Sequence, residues 1–355
     1  MEKDINWIRD EISNVEAVPH GSTHLPNIVD FSSSVIKLDL PIDKIISNID
    51  IYSYPDTTNF EFRSKAAENY NLSPNNIFCG NGSSEIMWSI GLAFVKRSSK
   101  SLLISPTFGE YKRILTIMGS DIEYHTLKED RGFRLDISTY LDQAKGKDII
   151  FICNPNNPTG EFIGFDKLET IFKNSPNTLY IIDSAYIDFA IDDFSYREKM
   201  KYFIDRYNVI FLHSLTKSFG IAGLRSGYCL ASEEKISLLD RVKTPWNINR
   251  YAQEVSIYIL ENEKEIIKKA QEIKNSSIKL RKKISNLGFT TIDSTTDYFL
   301  VKVGNSLEVK RKLLEEKILI RELQSMGLNN YIRVTGKDEE KNNLLLRLLK
   351  RSDFR

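Results

Sequence analysis

Between residues 100 and 232 the chain repeats one pattern: a short apolar run that ends in polar, glycine or proline residues, then a helix-length stretch, then another run. The runs are KSLLISP (100–106), KDIIFICNP (147–155), LYIIDSAY (179–186), NVIFLHS (208–214) and SGYCLAS (226–232). Runs this apolar read as strands buried on both faces. Their alternation with helical segments predicts an α/β fold built on a mostly parallel sheet sandwiched by helices. Residues 1–45 read as an N-terminal arm, 46–245 as a large domain and 246–355 as a smaller α+β C-terminal domain. The last rests on a long charged helix over 250–285, strands within 289–303 and a helix over 307–317. Ligands of open α/β sheets bind beyond the carboxyl ends of strands, so chemistry is expected where these runs end.

Charge narrows the function classes. Lys plus Arg (49) nearly cancels Asp plus Glu (48), a net +1, so a broad basic face for nucleic acid is not expected. Any phosphate recognition should come from a few placed residues. Cys79, Cys153 and Cys229 are widely spaced and lie in apolar or glycine-flanked stretches, which reads as buried reduced thiols. The four histidines show no zinc-ligand spacing with them, so no metal site is expected. The charged start MEKDINWIRDEISN is unlike a secretory signal, and no apolar run approaches bilayer length. The expected address is the cytoplasm, with no membrane partner.

The run ends carry the chemistry. HSLTKSFGIAGLRSGY (213–228) places Lys217 just past a core strand, with Ser214 before it and Arg225 eight residues after. A lysine partly deprotonated by its surroundings can form a Schiff base, and Ser214 with Arg225 can bind a phosphate. FICNPNNPTG (151–160) ends in an amide-rich turn in which Asn157 can donate to a ligand oxygen; by itself it is equally a plain turn. IIDSAYIDF (181–189) sets Asp183 at the end of an apolar run, where a carboxylate is costly unless paired, with Tyr186 three residues on. CGNGSSEIMWSIGLAF (79–94) runs from a glycine-bearing turn into a helix whose first amides, near Ser83 and Ser84, suit an anion or simply an N-cap. In SPTFGEY (105–111), Phe108 can stack on a planar ring or pack in the core.

In this order, GNGSSE, PTFGEY, NPNNPTG, DSAY and SLTKSFGIAGLRSGY resemble the fold-type-I aminotransferases that use pyridoxal 5′-phosphate. The resemblance spans nearly the whole chain. It implies that Lys217 is the Schiff-base lysine, that Asp183 pairs the pyridine nitrogen, and that Asn157 and Tyr186 contact the ring's 3′-oxygen. It implies that Ser83, Ser84, Ser214 and Arg225 hold the cofactor phosphate while Phe108 stacks on the ring. It further implies a homodimer with shared active sites, in which Tyr54 of YSYPD reaches the neighbouring subunit's phosphate. The glutamate that usually follows the aspartate is Ser184 here.

Two features resemble one subgroup. PHG (19–21) ahead of VDFSSSV resembles the start of the threonine-phosphate decarboxylases, which places His20 at the substrate. KILIRE (317–322) and NYIRVTGK (330–337) resemble the tail those enzymes share with histidinol-phosphate aminotransferases, which assigns Arg321 and Arg333 to the substrate's anionic groups. Ser22 and DFSSSVIK depart from the decarboxylase pattern. Transamination of an amino acid or phosphorylated amine is therefore expected first, and decarboxylation of a phosphorylated amino acid second. A non-catalytic regulator on the same fold would need a DNA-binding module for which a 45-residue arm has no room.

Overall fold

A computed structural model describes residues 8–351 apart from 14, 20, 22–25 and 48. A first short strand, β1 (Val29–Asp30), lies apart from the main sheet. That sheet is formed by β2 (Ile77–Gly80), β3 (Lys100–Ser105), β4 (Asp121–Thr126), β5 (Ile149–Cys153), β6 (Leu179–Asp183), β7 (Val209–Ser214) and β8 (Gly227–Leu230). Its seven strands stand in the order β2-β8-β7-β6-β5-β3-β4, parallel from β7 to β4, with β8 antiparallel to both its neighbours. All five apolar runs are strands of this sheet. The two it adds are the edges: the brief β2, and β4, whose DIEYHT is mostly solvent-facing.

Alternate residues of β5 divide between two apolar clusters, Ile150 and Ile152 on one side, Ile149, Phe151 and Cys153 on the other. Helices Phe60–Tyr70, Phe165–Asn174 and Tyr196–Ile204 cover the first side; helices Gly82–Phe94, Gly109–Ile117 and Glu233–Val242 cover the second. Each large side chain so removed from water contributes roughly 1.5–3 kcal/mol, which is why a continuous apolar strand demands cover on both faces.

The helix expected over 250–285 is two helices, Arg250–Glu261 and Glu263–Asn286. They part at Asn262, whose side-chain amide donates to the Tyr258 carbonyl (2.8 Å) while its backbone sits off the helical region, the competition expected of asparagine. The first of the two sends Ala252, Val255 and Ile259 into the main sheet's first cluster. The second lies over a smaller antiparallel sheet of β9 (Tyr298–Lys302), β11 (Arg321–Leu323) and β12 (Leu328–Thr335). β1 pairs in parallel with β10 (Ile318–Leu319), and Phe31 enters the same apolar cluster, so residues 29–31 pack with the smaller sheet. Gly160 joins the two sheets: its carbonyl accepts from the Thr295 amide and hydroxyl, both at 2.9 Å. Among the described residues, no helix is long and apolar enough to cross a membrane.

Candidate active site

The strand order reverses between β3 and β5, and a cavity opens beyond the carboxyl ends of these strands and their neighbours β6 and β7. Nine residues singled out from the sequence line it: Ser83, Ser84, Phe108, Asn157, Asp183, Tyr186, Lys217, Arg321 and Arg333. Ser214 ends β7 close by, its hydroxyl accepting from the Thr216 amide (3.3 Å). Tyr54 is not brought to its own chain's cavity. It is 76% exposed and stacks on Trp246, ring centroids 4.5 Å apart. His20 lies outside the described residues, although Pro19 and Gly21 on either side of it line the cavity.

One end of the cavity is an anion cradle. Helix Gly82–Phe94 begins at Gly82, which adopts φ +76°, and a Cβ there would stand 2.6 Å from Arg225 Nη2. Gly227 is as tightly placed: its Cβ would meet the His213 carbonyl at 2.8 Å and the Ser83 amide at 3.0 Å. Arg225 donates to the Ala222 carbonyl (3.1 Å) and has no carboxylate partner among the described residues. Glycines thus bring a helix N-terminus and a guanidinium together without a counter-ion, an arrangement that attracts phosphate.

At the other end of the floor, Asp183 is buried and accepts from the Tyr111 hydroxyl (2.6 Å) and the Ala185 amide (3.1 Å). Burial raises its carboxyl above the ordinary range, and those two bonds, with Lys217 and His213 nearby, oppose the rise. Tyr111 was missed in the sequence although it closes the same PTFGEY motif; nothing in the spacing says that its hydroxyl, rather than the ring of Phe108, meets the aspartate. The Lys217 amine lies 5.7 Å from the Tyr186 ring centroid. Burial, then the positive charge of Arg333, lowers its pKa to about 8, while Asp297 and Asp183 pull the other way. A lysine so placed is unprotonated far more often near neutrality than an ordinary lysine, as a nucleophile requires.

Two guanidiniums close the cavity from the smaller sheet. Arg321 and Arg333 are direct cross-strand partners on β11 and β12, and both are buried. Arg333 donates to Asn157 Oδ1 (2.6 Å) and the Ser32 carbonyl (2.7 Å), and Arg321 to the Pro19 carbonyl (2.6 Å). Neither meets a carboxylate within ion-pair distance among the described residues, and burial and Arg333 together lower the pKa of Arg321. Like charges directly opposite each other in a ladder are unfavourable, and buried unpaired charge more so. A second residue missed in the sequence, Asp297, is fully buried with one oxygen accepting from Ser34 (2.6 Å) and the other without a partner among the described residues. In STTDYF it reads as an ordinary turn residue.

Pyridoxal 5′-phosphate fits this donor set: an anion cradle, a buried carboxylate for a ring nitrogen, a reactive amine, and the ring of Phe108. The family profile for aminotransferase class I and II matches residues 26–349. A histidinol-phosphate aminotransferase of Caldanaerobacter subterraneus is 32% identical over 97% of this chain and 98% of its own. The crystal structure of the histidinol-phosphate aminotransferase from Clostridium acetobutylicum superposes with TM-score 0.81 at 28% identity, over 91% of this chain and 98% of that one. That of the L-threonine-O-3-phosphate decarboxylase from Porphyromonas gingivalis does so with TM-score 0.78 at 26% identity, over the same shares. The chain belongs to the class I and II aminotransferases, enzymes that work with pyridoxal 5′-phosphate on small-molecule substrates.

Proposed function

We propose that this aminotransferase acts on a small amine bearing a phosphate, as in histidinol phosphate, and returns the amino group to a ketoacid. The observation that carries the reading is the pair Arg321 and Arg333, two buried guanidiniums that line the cavity of Lys217 and Asp183 and meet no carboxylate among the described residues. A substrate anion supplies the charge that the protein leaves out, and their planar forks suit phosphate and carboxylate oxygens alike.

The position of the other cavity residues supports the remaining roles. The Gly82–Ser84 turn, Ser214 and Arg225 would hold the cofactor phosphate, Phe108 the ring, and Asn157 and Tyr186 its 3′-oxygen. Asp183 keeps a proton on the ring nitrogen, held in place by Tyr111. When bound, the cofactor supplies an electron sink for the substrate's α-carbon. Lys217 is the amine that attaches the cofactor and then takes and returns the α-proton as general base and acid. His20, between cavity-lining Pro19 and Gly21, is assigned to the substrate end. The test is to mix holoenzyme with histidinol phosphate, threonine phosphate and unphosphorylated amino acids plus 2-oxoglutarate, following glutamate and carbon dioxide. Glutamate formed from histidinol phosphate is the expected result. Carbon dioxide from threonine phosphate without glutamate would replace transamination by decarboxylation, the reading favoured by the PHG motif.

The exposed aromatic surface supports a homodimer with shared sites. Ile51, Tyr52, Tyr54, Phe60 and Trp246 are all exposed, an unusual concentration of large apolar side chains for a free surface. In the dimer Tyr54 reaches the partner's phosphate cradle. Mixing Tyr54→Phe subunits with Lys217→Ala subunits yields hybrids in which one site carries both defects and the other none. Activity above that of either parent is expected. Verified hybrids with no recovery would remove the case for a donated tyrosine.

A further inference from the structure

Beneath Lys217 lies a buried polar group that none of these roles employs. The carboxylate of Asp188 accepts from the Ser218 hydroxyl (2.5 Å) and the Tyr196 hydroxyl (2.8 Å), and His213 Nε2 stands 3.4 Å from it. All four residues are essentially without solvent exposure. The Asp188 carbonyl, in turn, accepts from the side-chain amide of Gln271 on helix Glu263–Asn286. Burial alone would raise the Asp188 carboxyl; His213 and the donated hydrogen bonds outweigh it and hold it below the usual range, so it accepts as a carboxylate.

The partners matter for what lies next to them in sequence. Ser218 follows Lys217, and His213 precedes Ser214, so two of the contacts grip the turn that carries the lysine at both ends. Asp188 itself sits two residues after Tyr186, in the short helix Ile187–Ala190 that begins there. The third contact, Tyr196, belongs to helix Tyr196–Ile204, no residue of which lines the cavity. We infer that Asp188 is a positioning residue for Lys217, its carboxylate fixing the turn 214–218 against the segment that carries Asp183 and Tyr186. This rests on Lys217 being the residue that attaches the cofactor. A carboxylate buried against both ends of the turn 214–218, bonded to Ser218 and 3.4 Å from His213, restricts where the amine can go, and small displacements of a reacting group cost rate steeply.

The contacts can be separated. Ser218→Ala removes the link to the lysine turn; Tyr196→Phe removes a bond of similar length from the same carboxylate without touching that turn. In the holoenzyme, Ser218→Ala should lower kcat by about tenfold or more with little change in KM. It should also displace the pH at which the bound cofactor's absorbance changes and lower the yield of cofactor fixed on Lys217 by borohydride. Tyr196→Phe should lower the melting temperature and leave those readouts in place. Asp188→Asn, similar in shape but uncharged, should behave as Ser218→Ala does, more severely. If Ser218→Ala and Tyr196→Phe behave alike, whether both lose only stability or both lose everything, Asp188 is structural and the inference fails. If borohydride does not label Lys217 in the unaltered enzyme, the role of the lysine falls and this inference with it.

Discussion

Replacing Lys217 by alanine should leave a folded protein that binds pyridoxal 5′-phosphate loosely, loses it on gel filtration and turns over at least about 10³-fold more slowly. The unaltered protein should carry the cofactor through gel filtration, and borohydride should fix it on Lys217. The lysine's environment adds a pH signature. In the cofactor-free protein, acylation of Lys217 by acetic anhydride should rise through a midpoint near 8, because the amine is protonated below that value and nucleophilic above it. Arg333 is the second cause of the lowered value after burial, so Arg333→Ala should move the midpoint up, towards an ordinary lysine. An alanine variant that still fixes cofactor under borohydride and turns over would exclude Lys217 from the role; a midpoint at the ordinary lysine value would show that burial and Arg333 do not tune the amine.

Most of the cofactor end of this site was legible because its groups lie at or a few residues past the end of a core strand. Asn157 follows β5, Asp183 ends β6, and Lys217 follows β7, so finding the apolar run also found the residue aimed into the cavity. The edge strand β4 was not legible for the opposite reason: half-covered, it alternates polar and apolar residues instead of forming a run. The break at Asn262 was hidden inside an amphipathic pattern that continues across it, since one asparagine leaves the periodicity intact while its amide competes for a helix carbonyl. Tyr111 and Asp297 escaped because their importance is tertiary. Tyr111 lies 72 positions from the carboxylate it donates to, and Asp297 lies 263 positions from Ser34. Charges that a fold gathers from distant segments leave no local spacing to read.

The arginine pair should show a separation of stability from activity. Arg321 and Arg333 face each other across β11 and β12, both buried, held by main-chain carbonyls and the Asn157 amide oxygen and, among the described residues, by no carboxylate. Replacing one by a residue of similar length and no charge removes the repulsion with the other, at the cost of the bonds it donates. For Arg321→Met these are one strong bond to Pro19 and a long one to Ser325 at 3.4 Å. The substrate-free holoenzyme of Arg321→Met should therefore melt no lower than the unaltered enzyme, whereas loss of an arginine from a buried structural ion pair destabilises strongly. Activity should move the other way. Deleting a charge-assisted partner in a desolvated site costs roughly 2–5 kcal/mol, so kcat/KM for the phosphorylated substrate should fall by at least about 30-fold. Arg333→Met should lose at least as much, because Arg333 also holds Asn157 and the Ser32 carbonyl in the cavity wall. The cofactor should stay bound in both, since neither arginine lies in the phosphate cradle. Comparing histidinol phosphate with an unphosphorylated amino acid then assigns the anion. A loss at Arg321 confined to the phosphorylated substrate places the phosphate there. An equal loss for both would make Arg321 a general anion site and not the phosphate's own, and a lower melting temperature with kcat/KM unchanged would show that the pair is structural and that the phosphate is recognised elsewhere.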